Sequence, residues 1–401
     1  MKLIVEDADI VEKINRHLSA QIRVFSIERT NAGFSAYHFC NSRIYEYLIP
    51  THCFLPPHTD SYLGRKLDQL AQEADDTEAY RERRCEVSSF WAEAEEAHIK
   101  PILDQLDPSI KLIVQKALYE MNLKEAEEEF PLVKEDQKVE KEGSPLETRI
   151  DSGVGLDVLA SAEAKTIESI QTHSDTTKPS PSSGTVTEQA LQDSEAGDKD
   201  LPKTDGATID PKLKEPSPLE ISIRQLKAAY IAAKKAYRID PRRLERVRSA
   251  LSRFDGTHNF HNYTIDKGPR DPSAKRVIKS FVVAADPMII NDTEWLSLKV
   301  HGQSFMMHQI RKMISMVALI VRCGCHEGRI QDSYLPQRLN VPKAPSLGLL
   351  LERPVFDAYN EKLLGFGREA IDFGKYEKEI EKFKQREIYE RIFGEEEQHG
   401  Q

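Results

Sequence analysis

The sequence predicts an α+β fold in which helices cover a mainly antiparallel sheet and a long acidic insertion interrupts the chain. Strand and helix patterns interleave toward both ends, without a Gly-rich phosphate loop or repeats. Only 39% of the 401 residues are hydrophobic and 30% are charged, so part of the chain is expected to be disordered. The net charge of -10 argues against a uniformly basic nucleic-acid coat.

The first part of the fold is predicted to span residues 1–125. Strand patterns lie at residues 1–5, 22–27 and 45–50, with a short helix at 10–18, and helix-like spacing of aliphatic residues continues from 61 to 121. The first strand pattern follows directly on Met1, with no turn or cap before it. We therefore expect the coding sequence to extend upstream of this start; the alternative is that residues 1–5 are a genuine first strand.

Residues 126–218 are predicted to form a disordered linker or insertion. They are rich in Glu, Lys, Ser, Thr and Pro, and their only aromatic residue is Phe130. Such a composition buries too little apolar surface to offset the entropy of ordering the backbone. We expect limited proteolysis to cut here first.

Residues 219–385 are predicted to form a second α+β part, followed by a charged tail at 386–401. A charged helix is expected to begin at Glu377 and then to fray. A basic amphipathic helix is expected at 221–237, and Asp240 and Pro241 suit the start of another. Strand patterns follow at 277–284 and 295–300. A long helix is then expected at 305–321, capped by Ser304 and ended by Gly324.

Three polar clusters are candidates for chemistry. On the strand at 43–47, alternation places Arg43, Tyr45 and Tyr47 on one face. A cation beside two rings can hold a phosphate and stack a base, as RNA-binding sites do. The alternative is a half-buried strand whose tyrosines only pack across strands.

The second cluster lies on the predicted helix at 305–321. His308, Arg311 and Ser315 are spaced by three and four residues, so they share a face beside the apolar stripe. Arg311 is either a solvated helix residue or a buried cation that pairs with a carboxylate and keeps it ionised.

The third cluster contains His258, Asn259, Phe260 and His261. The two histidines, and the Cys323-Gly324-Cys325-His326 run, lack the spacing of common zinc sites. We therefore expect hydrogen bonding and packing here, and no metal.

Together with residues 341–351 (Val-Pro-Lys-Ala-Pro-Ser-Leu-Gly-Leu-Leu-Leu), these three stretches resemble, in order and spacing, successive motifs of the TruA family of tRNA pseudouridine synthases. The resemblance covers roughly residues 1–60 and 219–370. It implies two joined α+β halves with a basic RNA-binding cleft between them, tRNA and other RNA as partners, no cofactor, metal or membrane, and a nuclear location with mitochondrion or cytoplasm as alternatives. The first half would then be the remnant of a catalytic half.

The resemblance also implies roles for individual residues. Tyr45 matches the family's active-site tyrosine, which packs on the uracil, and Arg311 matches the arginine that pairs with the catalytic aspartate. RNA-binding positions are expected at these residues: Arg43, Tyr47, His258, Asn259, Phe260 and His308.

The family's nucleophilic aspartate belongs to an Arg-Thr-Asp-x-Gly motif, and this motif does not occur in the 401 residues. Arg29-Thr30-Asn31 is similar, but it stands at a later family position, and Asn31 cannot act as a carboxylate. Thr204-Asp205-Gly206 lies in the predicted linker. We therefore expect negligible catalysis from this chain, or else a non-catalytic RNA-binding homologue that keeps the cleft.

Overall fold

The computed structural model describes residues 9–114, 218–365, 367 and 369–399. The predicted strand at 1–5 and nearly all of the predicted linker lie outside the described residues, so both stay predictions. The α-helices of four residues or more are Ile10–His17, Ala36–Phe39, Tyr62–Glu73, Thr77–Glu82, Phe90–Ala94, Lys100–Asp104, Pro218–Ala236, Pro241–Ser252, Gln309–Arg322, Arg329–Asp332, Asp357–Gly365, Glu377–Phe383 and Glu390–His399.

One open sheet contains strands from both sides of the long region that the structure does not describe. Its strands are β1 (Ser42–Pro50), β2 (Gly256–Asn259), β3 (Lys275–Val283), β4 (Met288–Ile290), β5 (Thr293–Gly302) and β6 (Leu349–Val355). They follow the order β2-β3-β5-β1-β6, with β4 added beside β5, and every pairing is antiparallel. The predicted α+β class with an antiparallel sheet is confirmed.

The main hydrophobic core lies between the sheet and the helix Gln309–Arg322, which we call the site helix. Met313, Val317 and Val321 are fully buried on this helix and face apolar side chains of β5 such as Leu296 and Leu298. The apolar stripe predicted from the sequence therefore does form the core contact. It fixes the start of the site helix above β1 and β5.

The site helix begins four residues later than predicted. Its N-terminal cap position is His308, in the left-handed conformation with φ 63°, and no side chain caps the helix there. The side chain of Gln309 instead accepts a hydrogen bond from the backbone N–H of Met306 at 2.9 Å and holds the preceding turn. The prediction that Ser304 caps the helix was wrong, because residues 304–308 form this turn.

Two further local predictions fail. Residues 22–27 form no strand, and Phe25 packs edge-on against Phe383 with ring centroids 6.0 Å apart. The C-terminal tail does not fray after residue 386, because Tyr389, Ile392 and Phe393 are spaced by three, one and four residues and are buried against Leu48 and Trp295. The abundant charges of this segment concealed its apolar stripe.

A buried ion pair ties the C-terminal helices to the back of β1. Glu46 is 3% exposed and accepts hydrogen bonds from Ser297 Oγ at 2.5 Å and Tyr389 Oη at 2.6 Å, while Lys384 Nζ lies 2.7 Å from its carboxylate. Burial alone would raise the pKa of Glu46, but these hydrogen bonds and the charge of Lys384 more than offset it and hold that pKa below its ordinary value.

A separate hydrophobic cluster joins the two sides of the region that the structure does not describe. Ile99 and Val114 come before this region and Leu226 follows it, and all three are buried together. Leu219 packs against the same cluster. The chain therefore leaves and re-enters the described fold at one place.

In the described part of the chain, no helix is both long and apolar enough to cross a bilayer.

Candidate active site

A pocket of about 510 Å³ opens at the start of the site helix. Residues from β1, the turn before the helix, the helix itself and the segment leading into β6 surround it. The residues that line it are Tyr45, Phe305, Met306, Met307, His308, Gln309, Ile310, Arg311, Ser346 and Leu349. Three of the predicted site residues, Tyr45, His308 and Arg311, therefore line one pocket.

The aromatic residues of the pocket come from β1 and from the turn before the site helix. Tyr45 is half-buried, and its ring meets the Phe305 ring edge-on with centroids 5.3 Å apart. Phe305 can lie over β5 because residue 302 is glycine: a Cβ there would be 2.6 Å from the Phe305 ring. The two rings stand nearly perpendicular to each other, at 83°, so each offers the pocket an apolar ring surface of a kind on which a base can stack.

Arg311 forms two hydrogen bonds with Ala344 but has a buried nitrogen without a partner in the described part of the chain. Its Nε donates to the carbonyl oxygen of Ala344 at 2.6 Å, and the N–H of Ala344 donates to the carbonyl oxygen of Arg311 at 3.2 Å. Although Arg311 is only 9% exposed, its Nη2 has no hydrogen-bond partner among the described residues. A buried unpaired guanidinium N–H is costly, so the geometry suits an anionic acceptor such as a carboxylate.

The segment from Ala344 to Gly348 closes the pocket opposite the site helix. Tyr47 donates its phenolic hydrogen to the carbonyl oxygen of Pro345 at 2.9 Å, and the N–H of Leu48 donates to the carbonyl oxygen of Gly348 at 3.0 Å. A Cβ on Gly348 would lie 2.5 Å from the carbonyl oxygen of Leu48. Glycine at this position allows the segment to approach β1.

We expect Gly348→Ala to lower the free energy of unfolding by about 1–3 kcal/mol, because backbone atoms must move to admit the methyl group. Gly394→Ala is the matched control. Residue 394 is helical with nothing within 4 Å of a new Cβ, so alanine there should be neutral or stabilising by about 0.5–1 kcal/mol. Urea unfolding of both variants measures the difference, and equal effects would contradict the packing argument.

The other predicted residues of the first cluster lie near the pocket but not in its lining. Arg43 donates from Nη1 to the carbonyl oxygen of Gln303 at 3.1 Å. Tyr47 is 4% exposed, and burial raises the pKa of its hydroxyl. In this arrangement Tyr47 positions the 344–348 segment, and RNA contact by either residue stays a prediction.

The third cluster covers the end of β2 and the residues that follow it, and its side chains make structural contacts. His258 stacks on Tyr334 with ring centroids 4.3 Å apart and 6° between planes, and Asn259 donates to the carbonyl oxygen of Pro269 at 2.7 Å. Phe260 is fully buried in the core. Its side chain can influence RNA only through its neighbours, and the RNA-binding role of all three stays a prediction.

The two sequences that resemble the missing motif differ in their placement. Asn31 is paired with Tyr359: its N–H donates to Tyr359 Oη at 3.2 Å, and Tyr359 Oη donates back to Asn31 Oδ1 at 3.2 Å. Asn31 does not line the pocket. Asp205 lies outside the described residues.

Several lining residues had no role assigned from the sequence, among them Phe305, Gln309, Ser346 and Leu349. In the sequence, Phe305 belongs to the apolar stripe of the predicted helix, and Leu349 belongs to the family motif at 341–351. The one local signal for Phe305 is Gly302, three residues earlier, which leaves room for its ring.

Comparison with known proteins first defines the class. The family described as tRNA pseudouridine synthase matches residues 250–357, which include β2 to β5, the site helix and β6. The matched residues therefore include most of the elements that surround the pocket.

Relatives then define the family. The chain is 37% identical over 398 residues to tRNA pseudouridine synthase 1 of Schizosaccharomyces pombe, covering 99% of this chain and 67% of that protein. It is 35% identical to tRNA pseudouridine synthase 1 of Yarrowia lipolytica, covering 99% of this chain but 58% of the relative. A mouse pseudouridylate synthase 1 homolog is 42% identical over 158 residues, or 39% of this chain and 37% of the mouse protein. The chain belongs to the TruA family of tRNA pseudouridine synthases.

The chain thus spans little more than half the length of several relatives.

Proposed function

We propose that this chain supplies the RNA-binding and uridine-holding side of a tRNA pseudouridine synthase. The relatives are named for that activity, and the family match covers the pocket-forming elements. In the proposed reaction a carboxylate attacks the uridine, the glycosidic bond breaks, and the freed base turns and rejoins through carbon, after which a proton leaves that carbon. The target nucleotide must be extruded from its helix to enter the pocket.

The single observation that carries this proposal is the unpaired Nη2 of the buried Arg311 beside Tyr45. In the proposed complex the uracil packs on the Tyr45 ring, and Arg311 keeps the nucleophilic carboxylate ionised by pairing with it. Tyr45 also takes part in removing the proton from carbon. These roles rest on the family resemblance together with the shared pocket.

The nucleophile itself is proposed to come from a segment with the Arg-Thr-Asp-x-Gly motif, which the 401 residues do not contain. Of the described residues that line the pocket, none carries a carboxylate. Without a nucleophile no covalent adduct can form. We therefore propose that the 401-residue chain binds tRNA but does not isomerise uridine.

The absence of the motif also favours a second candidate, a homologue that binds RNA without catalysis. The two candidates share the pocket and differ in one property: whether a carboxylate ever reaches Arg311. Joining a motif-bearing segment to the N-terminus should restore turnover under the first candidate only.

The test is pseudouridine mapping on unmodified tRNA with the 401-residue chain and with the extended chain. We expect no product from the former and turnover from the latter. An Asp→Ala change in the added motif is the matched control and should abolish the gain. Turnover by the 401-residue chain would refute the missing-nucleophile argument, whereas tRNA binding without turnover by the extended chain would favour the non-catalytic homologue.

A further inference from the structure

Positive charge at the mouth of the pocket exceeds what pairing with one carboxylate requires. Arg311 and Lys312 stand in the first turn of the site helix, where the helix dipole is already positive and no acidic residue is present. Lys343 directly precedes Ala344, the residue that Arg311 holds. An uncompensated concentration of cations of this kind is a favourable place for an anion.

A network of hydrogen bonds fixes this mouth as one wall. Lys312 Nζ donates to the carbonyl oxygens of Asn262 at 3.3 Å and Thr264 at 3.2 Å, and Thr264 Oγ1 donates to the carbonyl oxygen of Met307 at 3.0 Å. Asn262 Oδ1 accepts a hydrogen bond from the N–H of Leu339 at 2.9 Å. The turn before the site helix, the loop at 262–264 and the segment at 338–344 are thereby linked.

The cations of this wall repel one another. Burial and then Lys343 and Arg338 lower the pKa of Lys312, and burial and then Lys343, Arg311 and Lys312 lower the pKa of His308. Within the described ranges, Lys312, Lys343 and Arg338 take part in no ion pair. Lys343 and Arg338 also make no side-chain hydrogen bond there; Arg338 is exposed and Lys343 is half-buried.

We propose that Lys312, Lys343 and Arg338 form a phosphate-binding wall that holds the RNA phosphodiesters flanking the nucleotide in the pocket. This proposal rests on the proposed function. When a base enters a pocket, its own backbone must cross the mouth, so the nearest anions are the adjoining phosphates. Arg311 is deeper, beside Tyr45, and acts on the carboxylate, whereas the wall acts on the backbone.

The wall is tested with the variant Lys343→Gln/Arg338→Gln, which removes two charges and no hydrogen bond among the described residues. Binding of unmodified tRNA by the 401-residue chain is measured by fluorescence anisotropy between 50 and 200 mM salt. Each lost phosphate contact should reduce the slope of log K against log salt by about 1, and affinity should fall about tenfold or more at 100 mM salt.

Lys227→Gln is the matched control, because Lys227 is exposed on the helix Pro218–Ala236, which does not line the pocket. It should leave the slope within about 0.3 of the unaltered chain, and both proteins should keep the same unfolding midpoint. An unchanged slope for Lys343→Gln/Arg338→Gln overturns the wall while leaving the proposed function standing. No tRNA binding by the unaltered chain overturns both.

Discussion

Replacing Arg311 with alanine in the extended, catalytically active protein is expected to reduce turnover by at least about 100-fold. Losing one partner of a buried charge pair costs about 3 kcal/mol or more, and each 1.36 kcal/mol is a factor of about ten in rate. Binding of tRNA should weaken much less, because the proposed partner of Arg311 is the carboxylate. Single-turnover kinetics and tRNA anisotropy on the same samples separate the two effects.

Arg311→Lys is expected not to restore turnover, because an ammonium cannot donate to Ala344 and to a carboxylate in the fork geometry of a guanidinium. Arg248→Ala is the matched control: Arg248 is half-exposed and its only ion pair in the described chain is with Glu245, at 3.6 Å. If Arg311→Ala weakens tRNA binding as much as turnover, Arg311 contacts phosphate and the assignment is wrong.

The largest effect on stability is expected at the back of β1. Lys384→Met should lower the free energy of unfolding by about 3–5 kcal/mol, because Glu46 is left buried with its counter-ion removed. Lys382→Met, two residues away on an exposed side chain, should change it by no more than about 0.5 kcal/mol. Urea unfolding at pH 7 measures both.

The pH dependence of this difference follows from the directions of the pKa shifts. The pKa of Glu46 is lowered below 4.5, so its contribution is present above about pH 4.5 and is lost as pH falls through the lower folded value. Burial by itself would lower the pKa of Lys384, but its contacts with Glu46 outweigh this effect and raise that pKa above 10.5. The contribution of Lys384 to stability is therefore fully present below pH 10.5. The difference in the free energy of unfolding between the unaltered chain and Lys384→Met should stay constant between about pH 4.5 and pH 10.5 and should become smaller in acid. A difference that grows in acid would contradict the ion pair.

The spacing of apolar residues along the sequence predicted which face of a strand or a helix is buried. Alternation placed Arg43, Tyr45 and Tyr47 on one face of β1, and Glu46, which lies between the tyrosines, indeed binds the opposite helices. The 3.6-residue stripe predicted the core face of the site helix. Spacing along that helix also put Arg311 beside a strongly apolar surface, where it is buried.

What the sequence could not predict depends on contacts between distant residues. The left-handed conformation of His308 is fixed by the Gln309 side chain and by Thr264, not by His308 itself. The hydrogen bond from Tyr47 to the carbonyl oxygen of Pro345 was not predicted, because that oxygen is a backbone atom 298 residues away. The tail looked solvated because its buried face matches a surface of β1 and β5 that no local pattern reveals.

One hydrophobic cluster limits how much a change in chain length can affect the fold. It consists of Ile99, Val114, Leu219 and Leu226. It makes residues 115–217 a segment whose two ends are clasped at one point of the fold. For a flexible closed loop, the entropic cost grows only with the logarithm of length, so a tenfold change in length alters it by about 2 kcal/mol. Doubling or halving the length of this segment would then change the stability of the fold by only about 0.6 kcal/mol. The length of this stretch can therefore vary with little effect on the fold on either side of it.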